Sequence, residues 1–219
     1  MVSAEFVRRV LVVEDEPMLL GLVCAKLTAD GFVVRPAGSA AEAREVAKGF
    51  DPDIALLDIQ LGTGPTGIDL AAILRIEYPN IGVVFLTHIP EPRLAGLSNN
   101  DIPKGSAYLV KDRIADPGVL VAAIEAAARN KVGNEFRDDK TFEHRMRSVS
   151  NSQIAVLRMV SLGMSNTEIA AQRKTTIRAV ENLISRAIAA AGITATTSEN
   201  MRVVAAREFI RTVGMLDKP

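Results

Sequence analysis

Five short apolar runs, each followed by a stretch of helical character, occupy residues 7–130 and leave few folds open. The runs lie in "VRRVLVVEDE", "FVVRPAG", "DIALLD", "IGVVFLTH" and "AYLVKD". Continuous β-branched and aliphatic residues without polar alternation read as strands buried on both faces, as in parallel sheets covered by helices. The stretches between them supply the helices: Met18–Ala29 closed by Gly31, Ala40–Lys48 entered through Ser39, Ile68–Glu77 stopped before Pro79, and about 117–130. Serine favours the position before a first turn and glycine the position after a last one. The alternation predicts an α/β domain, a five-stranded parallel doubly wound sheet. One stretch departs from it. "IPEPRLAGLSNNDIPKGS", between the fourth and fifth strands, holds three prolines and two glycines, so it predicts a short helix near 92–97 plus loop.

Ligands of such sheets bind outside the carboxyl ends of the strands. The unusual polar residues of the front half fall there: Glu14 and Asp15 after the first strand, Asp58 after the third, Thr87 ending the fourth, Lys111 after the fifth. An ionised carboxylate is costly to bury alone, and three together repel unless a divalent cation joins them. Mg2+ suits carboxylate, carbonyl and water oxygens and keeps positions open for phosphate. A carboxylate held in such a site can attack phosphorus, while Lys111 and the Thr87 hydroxyl meet the phosphoryl oxygens.

In order and spacing, "VLVVEDEP", "ALLDI", "FLTH" and "AYLVKD" resemble the receiver domain of two-component response regulators, whose sheet is flavodoxin-like, over about residues 7–130. The resemblance implies that Asp58 is the phosphoacceptor, that Asp15 and Asp58 ligate Mg2+ directly, and that the Gln60 carbonyl adds a ligand. It implies a largely water-mediated role for Glu14 and a switch role for Thr87 with Tyr108. Two rival readings fall. No G-x-G-x-x-G follows the first strand, as dinucleotide binding would require. An aspartate-nucleophile phosphatase needs a second acid at the position of Gln60, which has no carboxylic proton to give. Three features depart from the family: "DIQLGTGPTG" after the acceptor, His88 where a small residue is usual, and the proline-broken stretch 90–105 in place of the fourth helix.

Charge divides the chain. Residues 1–128 carry 11 Lys and Arg against 17 Asp and Glu, whereas 129–219 carry 15 against 9. A basic back half predicts a polyanionic partner. "KVGNEFRDDKTFEHRMR" is charged and aperiodic, so 131–147 reads as a linker between a domain at 1–130 and another at 148–219. Four helices are expected in the second domain: Asn151–Leu162, Asn166–Gln172, Ile177–Ala191 and Glu199–Thr212. Ser165 and Glu168 form a capping box, and Thr176 caps the next helix. On that helix Val180, Leu183 or Ile184, Ala187 and Ala191 make an apolar stripe, opposite Arg178, Glu181, Asn182, Ser185 and Arg186. A polar helix presented by a packed partner is how helix-turn-helix domains enter a major groove.

"VSNSQIAVLRMVSLGMSNTEIA" and "TTIRAVENLISRAIAAAGI" resemble the LuxR-type helix-turn-helix of the NarL/FixJ family, an all-α domain. The resemblance nominates Glu181, Asn182 and Ser185 for base edges and Asn166, Thr167, Thr176 and Arg178 for the neighbourhood of phosphates. Gln153, Arg173, Glu181 and Leu183 depart from the family's usual residues. A helical protein-contact bundle or an RNA-binding antiterminator would need neither the capping box nor the polar helix.

Cys24 is the single cysteine, which excludes an internal disulfide and a cysteine metal cluster. No apolar run approaches the ~20 residues of a membrane helix, and the start has no secretory pattern, so a cytoplasmic location is expected. The whole reads as a transcription factor, not an enzyme, phosphorylated on Asp58 by a sensor histidine kinase with Mg2+ as cofactor. It would bind promoter DNA, as a homodimer when active. The alternative is an atypical regulator whose receiver acts by protein interaction, without phosphorylation-coupled DNA binding.

Overall fold

The computed structural model describes residues 7–114, 116–141, 146–194 and 199–213. They fall into two compact units: residues up to 88 with 100–141, and residues 89–99 with the chain from 142 onward.

In the first unit, β1 (Arg9–Val13), β2 (Val33–Ala37), β3 (Ile54–Leu57), β4 (Gly82–Thr87) and β5 (Ala107–Val110) form one sheet. Its order is β2-β1-β3-β4-β5, every pair is parallel, and so every strand ends on the same side. The helices are α1 (Pro17–Ala29), α2 (Ala40–Phe50), α3 (Gly67–Glu77) and α4 (Gly118–Ala128). Side chains alternate across a strand, so each run fills both layers. Val10, Val12, Ile54, Leu56, Val84, Leu86, Ala107 and Leu109 face Leu27 of α1 and Leu120, Ala123, Ile124 and Ala127 of α4. The intervening residues, among them Leu11, Leu57, Phe85 and Tyr108, are buried on the other face, where α2 and α3 supply Ala43, Ala47, Leu70 and Leu74. Ser39 caps α2, its hydroxyl accepting the Glu42 amide at 3.2 Å. A capping box of Thr66 and Asp69 starts α3, a signal the sequence reading did not use.

The expected linker 131–147 is not featureless. A 3-10 turn at Asn134–Phe136 leads into the short helix α5 (Asp138–Thr141), and Arg137 makes a parallel bridge to Tyr108 of the edge strand β5. Asp138 is buried; its carboxylate accepts the Val110 amide at 2.9 Å and pairs with Arg113 at 2.5 Å. An edge strand presents unpaired amides, and here an acidic side chain takes one of them. The stretch 90–105 holds two 3-10 turns, Pro92–Ala95 and Asn99–Asp101, as the prolines predict.

The second unit contains α6 (Asn151–Ser161), α7 (Asn166–Gln172), α8 (Ile177–Ala190) and α9 (Met201–Val213). Capping boxes of Ser150 with Gln153 and Ser165 with Glu168 start α6 and α7, and the Thr176 hydroxyl accepts the Ala179 amide at the start of α8. α6 packs against both α8 and α9. Ile154, Leu157, Val160, Ile169, Val180, Ile184, Ala187, Val204 and Phe209 are buried as its core. Thus Ile184, and not the half-buried Leu183, carries the stripe of α8, while on α9 Val204, Ala205 and Phe209, which share a helical face with Met201, are buried and Met201 is exposed.

Candidate functional site

The strand ends gather the charged groups because the parallel register leaves them nowhere else to go. Asp58 follows β3, and its amide donates to the Val13 carbonyl at 2.9 Å, which fixes it beside Glu14 at the end of β1. Asp58 and Glu14 are 6% and 4% exposed. Lys111, just past β5, donates from Nζ to Asp58 Oδ2 and to Glu14 Oε2, both at 2.7 Å. Asp58 Oδ1 also accepts the Gln60 amide at 3.2 Å. Asp15 is exposed, and one carboxylate oxygen each from Glu14, Asp15 and Asp58 lie within 4.8 Å of one another.

Electrostatics follow from this crowding. Burial pushes the Glu14 carboxyl up, and the charge of Asp58 adds to the rise against the hydrogen bond from Lys111. Asp15, exposed as a residue, is pushed up by the partial burial of its carboxyl among its neighbours and again by Asp58. Burial works against the Lys111 ammonium, but Asp58 and Glu14 outweigh it and its pKa is raised. One lysine balances one of three carboxylates, so the cluster fits a divalent cation. Oxygen donors with one solvent-facing member suit Mg2+, which keeps several waters.

Thr87 closes β4 and is fully buried, beside Val110 in the register of β5. Tyr108 is also fully buried, its ring centroid 6.1 Å from that of Phe85. Its backbone bridges to Arg137, a partner that no local sequence signal announces. His88 and Asp112, exposed neighbours of Thr87 and Lys111, approach to 3.1 Å. The sequence reading also missed Gly67. A Cβ there would lie 1.9 Å from the Asp58 carbonyl oxygen, and the Gly67 amide donates to the Ile59 carbonyl at 3.0 Å. Only glycine lets α3 begin this close beneath the loop that follows Asp58. The available signal was a glycine at the first helical position after a threonine cap, where glycine is otherwise unfavourable.

In the second unit, Arg178, Glu181, Asn182, Ser185 and Arg186 are exposed on one face of α8, opposite its buried stripe. Thr167 is exposed at the start of α7. Asn166 is half-buried, its Oδ1 accepting from Arg202 of α9 at 2.6 Å. Arg202 also donates to the Met164 carbonyl, so α9 holds the entry to α7. Thr176 has its hydroxyl engaged as the cap, and Ser185 donates to the Glu181 carbonyl at 3.0 Å.

Residues 10–96 match the response regulator receiver domain family. The probable transcriptional regulatory protein TcrX of Mycobacterium tuberculosis is 31% identical over 146 residues, covering 61% of this chain and 60% of TcrX. The nitrate/nitrite response regulator protein NarP of Escherichia coli is 28% identical over 178 residues, covering 74% of this chain and 78% of NarP. A solved structure of the response regulator RcsB in a DNA complex aligns with a TM-score of 0.57 at 18% identity, over 94% of this chain and 99% of RcsB. That likeness concerns the fold. Residues 10–96 thus resemble a receiver domain in sequence as well as in their acidic strand ends and bridging lysine, and the match to NarP extends that likeness to response regulators into the capped helical unit after the sheet.

Proposed function

We propose that the chain is a phosphorylation-controlled transcription factor, with Asp58 as acceptor and a sensor histidine kinase as donor. The observation that carries this is Lys111 bonded to both Asp58 and Glu14 at 2.7 Å, at the mouth of a receiver sheet. An ionised Asp58 oxygen attacks phosphorus, the P–N bond of the donor phosphohistidine breaks, and the imidazole, already protonated on its other ring nitrogen, leaves neutral with the electron pair of that bond. Glu14, Asp15, Asp58 and the Gln60 carbonyl would hold Mg2+, which when bound neutralises phosphoryl charge. Lys111, its pKa raised by the carboxylates, stays protonated and acts as a fixed cation, not as a base. Thr87 then accompanies the phosphoryl oxygens, with Tyr108 buried behind it.

Output belongs to α8. Glu181, Asn182 and Ser185 would address base edges, and Asn166, Thr167, Thr176 and Arg178 the backbone. Glu181 suits a cytosine amino group better than a phosphate. The active form would be a homodimer on promoter DNA in the cytoplasm. Among the described residues no helix is long and apolar enough to cross a membrane.

The test is Mg2+-dependent labelling by a small phosphodonor, followed by DNA binding with and without phosphate. Labelling should vanish in Asp58→Asn, and phosphate should tighten binding to the chain's own promoter region. Labelling without any change in DNA binding would favour a receiver that acts by protein interaction instead.

A further inference from the structure

Residues 89–99 lie between β4 and β5 in sequence but belong with the helical unit in space. Two arginines and a glycine account for this. Arg93 Nη1 donates to the Val149 carbonyl at 2.9 Å and to Asn151 Oδ1 at 3.2 Å, and Nη2 to the Arg147 carbonyl at 3.3 Å. Its charge is met by Glu91, which is 5% exposed. From the other side, Arg158 of α6 donates to the Ala95 carbonyl. Gly96, at φ +83°, permits that approach, since a Cβ there would lie 2.2 Å from Arg158 Nη1. Ile89, Pro92 and Leu94 are buried. Buried apolar groups flanked by satisfied carbonyls are the anatomy of a packed core and not of a surface loop.

We propose that residues 91–96 are a clasp whose receptor is α6 and the chain just before it, with Arg93 reaching out from the clasp to the start of α6 and Arg158 reaching back from its last turn. The chain therefore passes between units three times, at 88/89, 99/100 and 141/142, and the helical unit is not tethered by the 131–147 segment alone. It follows that the clasp is part of the helical unit's own fold, so a fragment starting after 141 lacks a piece of its core. A further consequence rests on the function proposed above: only His88, Ile89 and Pro90 separate Thr87 from the clasp, so a displacement of Thr87 reaches α6 without passing through the linker.

The clasp is testable without phosphate. A protease recognition sequence inserted after Thr141 allows the folded full chain to be cut there. The two pieces should co-elute in size exclusion, and the combined Arg93→Ala, Arg158→Ala and Leu94→Asp variant should lose co-elution. Separation of the cut wild-type pieces overturns the proposal, as does co-elution that survives all three substitutions. Hydrogen exchange of the uncut wild-type chain gives a reading that needs no variant. Amides of Gly96 and Leu97 should exchange within about tenfold of the α6 amides, and exchange at unprotected rates overturns the clasp. Repeating this with beryllofluoride separates the two ideas: a protected segment whose exchange is unchanged keeps the clasp and removes its role in signalling.

Discussion

The acidic pocket and the polar face of α8 both concentrate charge, yet they are built in opposite ways. In the pocket, Glu14, Asp58 and Lys111 are buried and hold one another, with backbone amides completing the set. On α8, Arg178, Glu181, Asn182 and Ser185 stand exposed, and what positions them is the buried stripe behind and the Thr176 cap beneath. The pocket's chemistry is therefore inseparable from the fold of its unit, whereas the α8 face is chemistry carried on a fold that does not depend on it.

The largest effect should come where scaffold and chemistry coincide. Gly67→Ala puts a methyl group 1.9 Å from the Asp58 carbonyl oxygen, a backbone atom that cannot swing away. Denaturant unfolding should show a loss of about 3 kcal/mol or more, in the range of overpacking and backbone strain combined. If Asp58 is the acceptor proposed above, its labelling should fall with it, because α3 can then start only if the loop after Asp58 moves. Unchanged stability would mean that the pocket is not built on this contact. Next is Lys111→Met, which leaves two buried carboxylates facing each other. Removing one partner of a buried ion pair costs roughly 3–5 kcal/mol. Here Mg2+ should restore part of the loss, since it replaces the missing positive charge, and no recovery at millimolar Mg2+ would count against the cation site.

The pocket was legible in the sequence because strand runs and strand ends are local signals. "DIALLD" and "AYLVKD" state both the buried run and the charged residue placed at its end. The helical unit was legible for a similar reason: Ser165, Glu168 and Thr176 act within one turn. What was not legible is long-range. Arg93 bonds to residues 54–58 positions away, and Asp138 takes an amide 28 positions back. A lone arginine beside a proline, or an aspartate in a charged run, gives no hint of its partner. Both fell in stretches read only by their lack of periodicity, 90–105 and 131–147. The prolines correctly forbade a long helix there, but they say nothing about what such a segment packs against.

On the α8 face the effects should be smaller and should split. Thr176→Ala removes a cap and should cost about 1 kcal/mol of stability. Asn182→Ala, on the exposed surface, should stay within about 0.5 kcal/mol of the parent, yet reduce discrimination between promoter and unrelated DNA. Arg178→Ala should weaken all sequences alike and lower the salt dependence of binding. If Asn182→Ala proves as destabilising as Thr176→Ala, the face is structural and the contrast with the pocket fails.

The smallest effect concerns protons, and it separates the two regions most cleanly. Glu14 and Asp15 have pKa values raised by burial and, further, by the charge of Asp58. A carboxyl whose folded pKa exceeds its unfolded one binds protons preferentially in the native state between those two values. There stability grows as pH falls and declines as pH rises. Lys111 cannot produce this trend: with its folded pKa raised, its contribution is complete below its unfolded value and is lost only in the alkaline range. A divalent cation competes with those protons, since it binds the ionised form. The Mg2+-induced rise in the melting temperature of the first unit should therefore be larger at pH 7.5 than at pH 5. Asp58→Asn removes the charge that lifts both neighbours, so it should flatten the pH trend measured without Mg2+. Substitutions on α8 should leave it untouched. An Mg2+ shift equal at both pH values would mean that Glu14 and Asp15 are not the groups that the cation and the proton share.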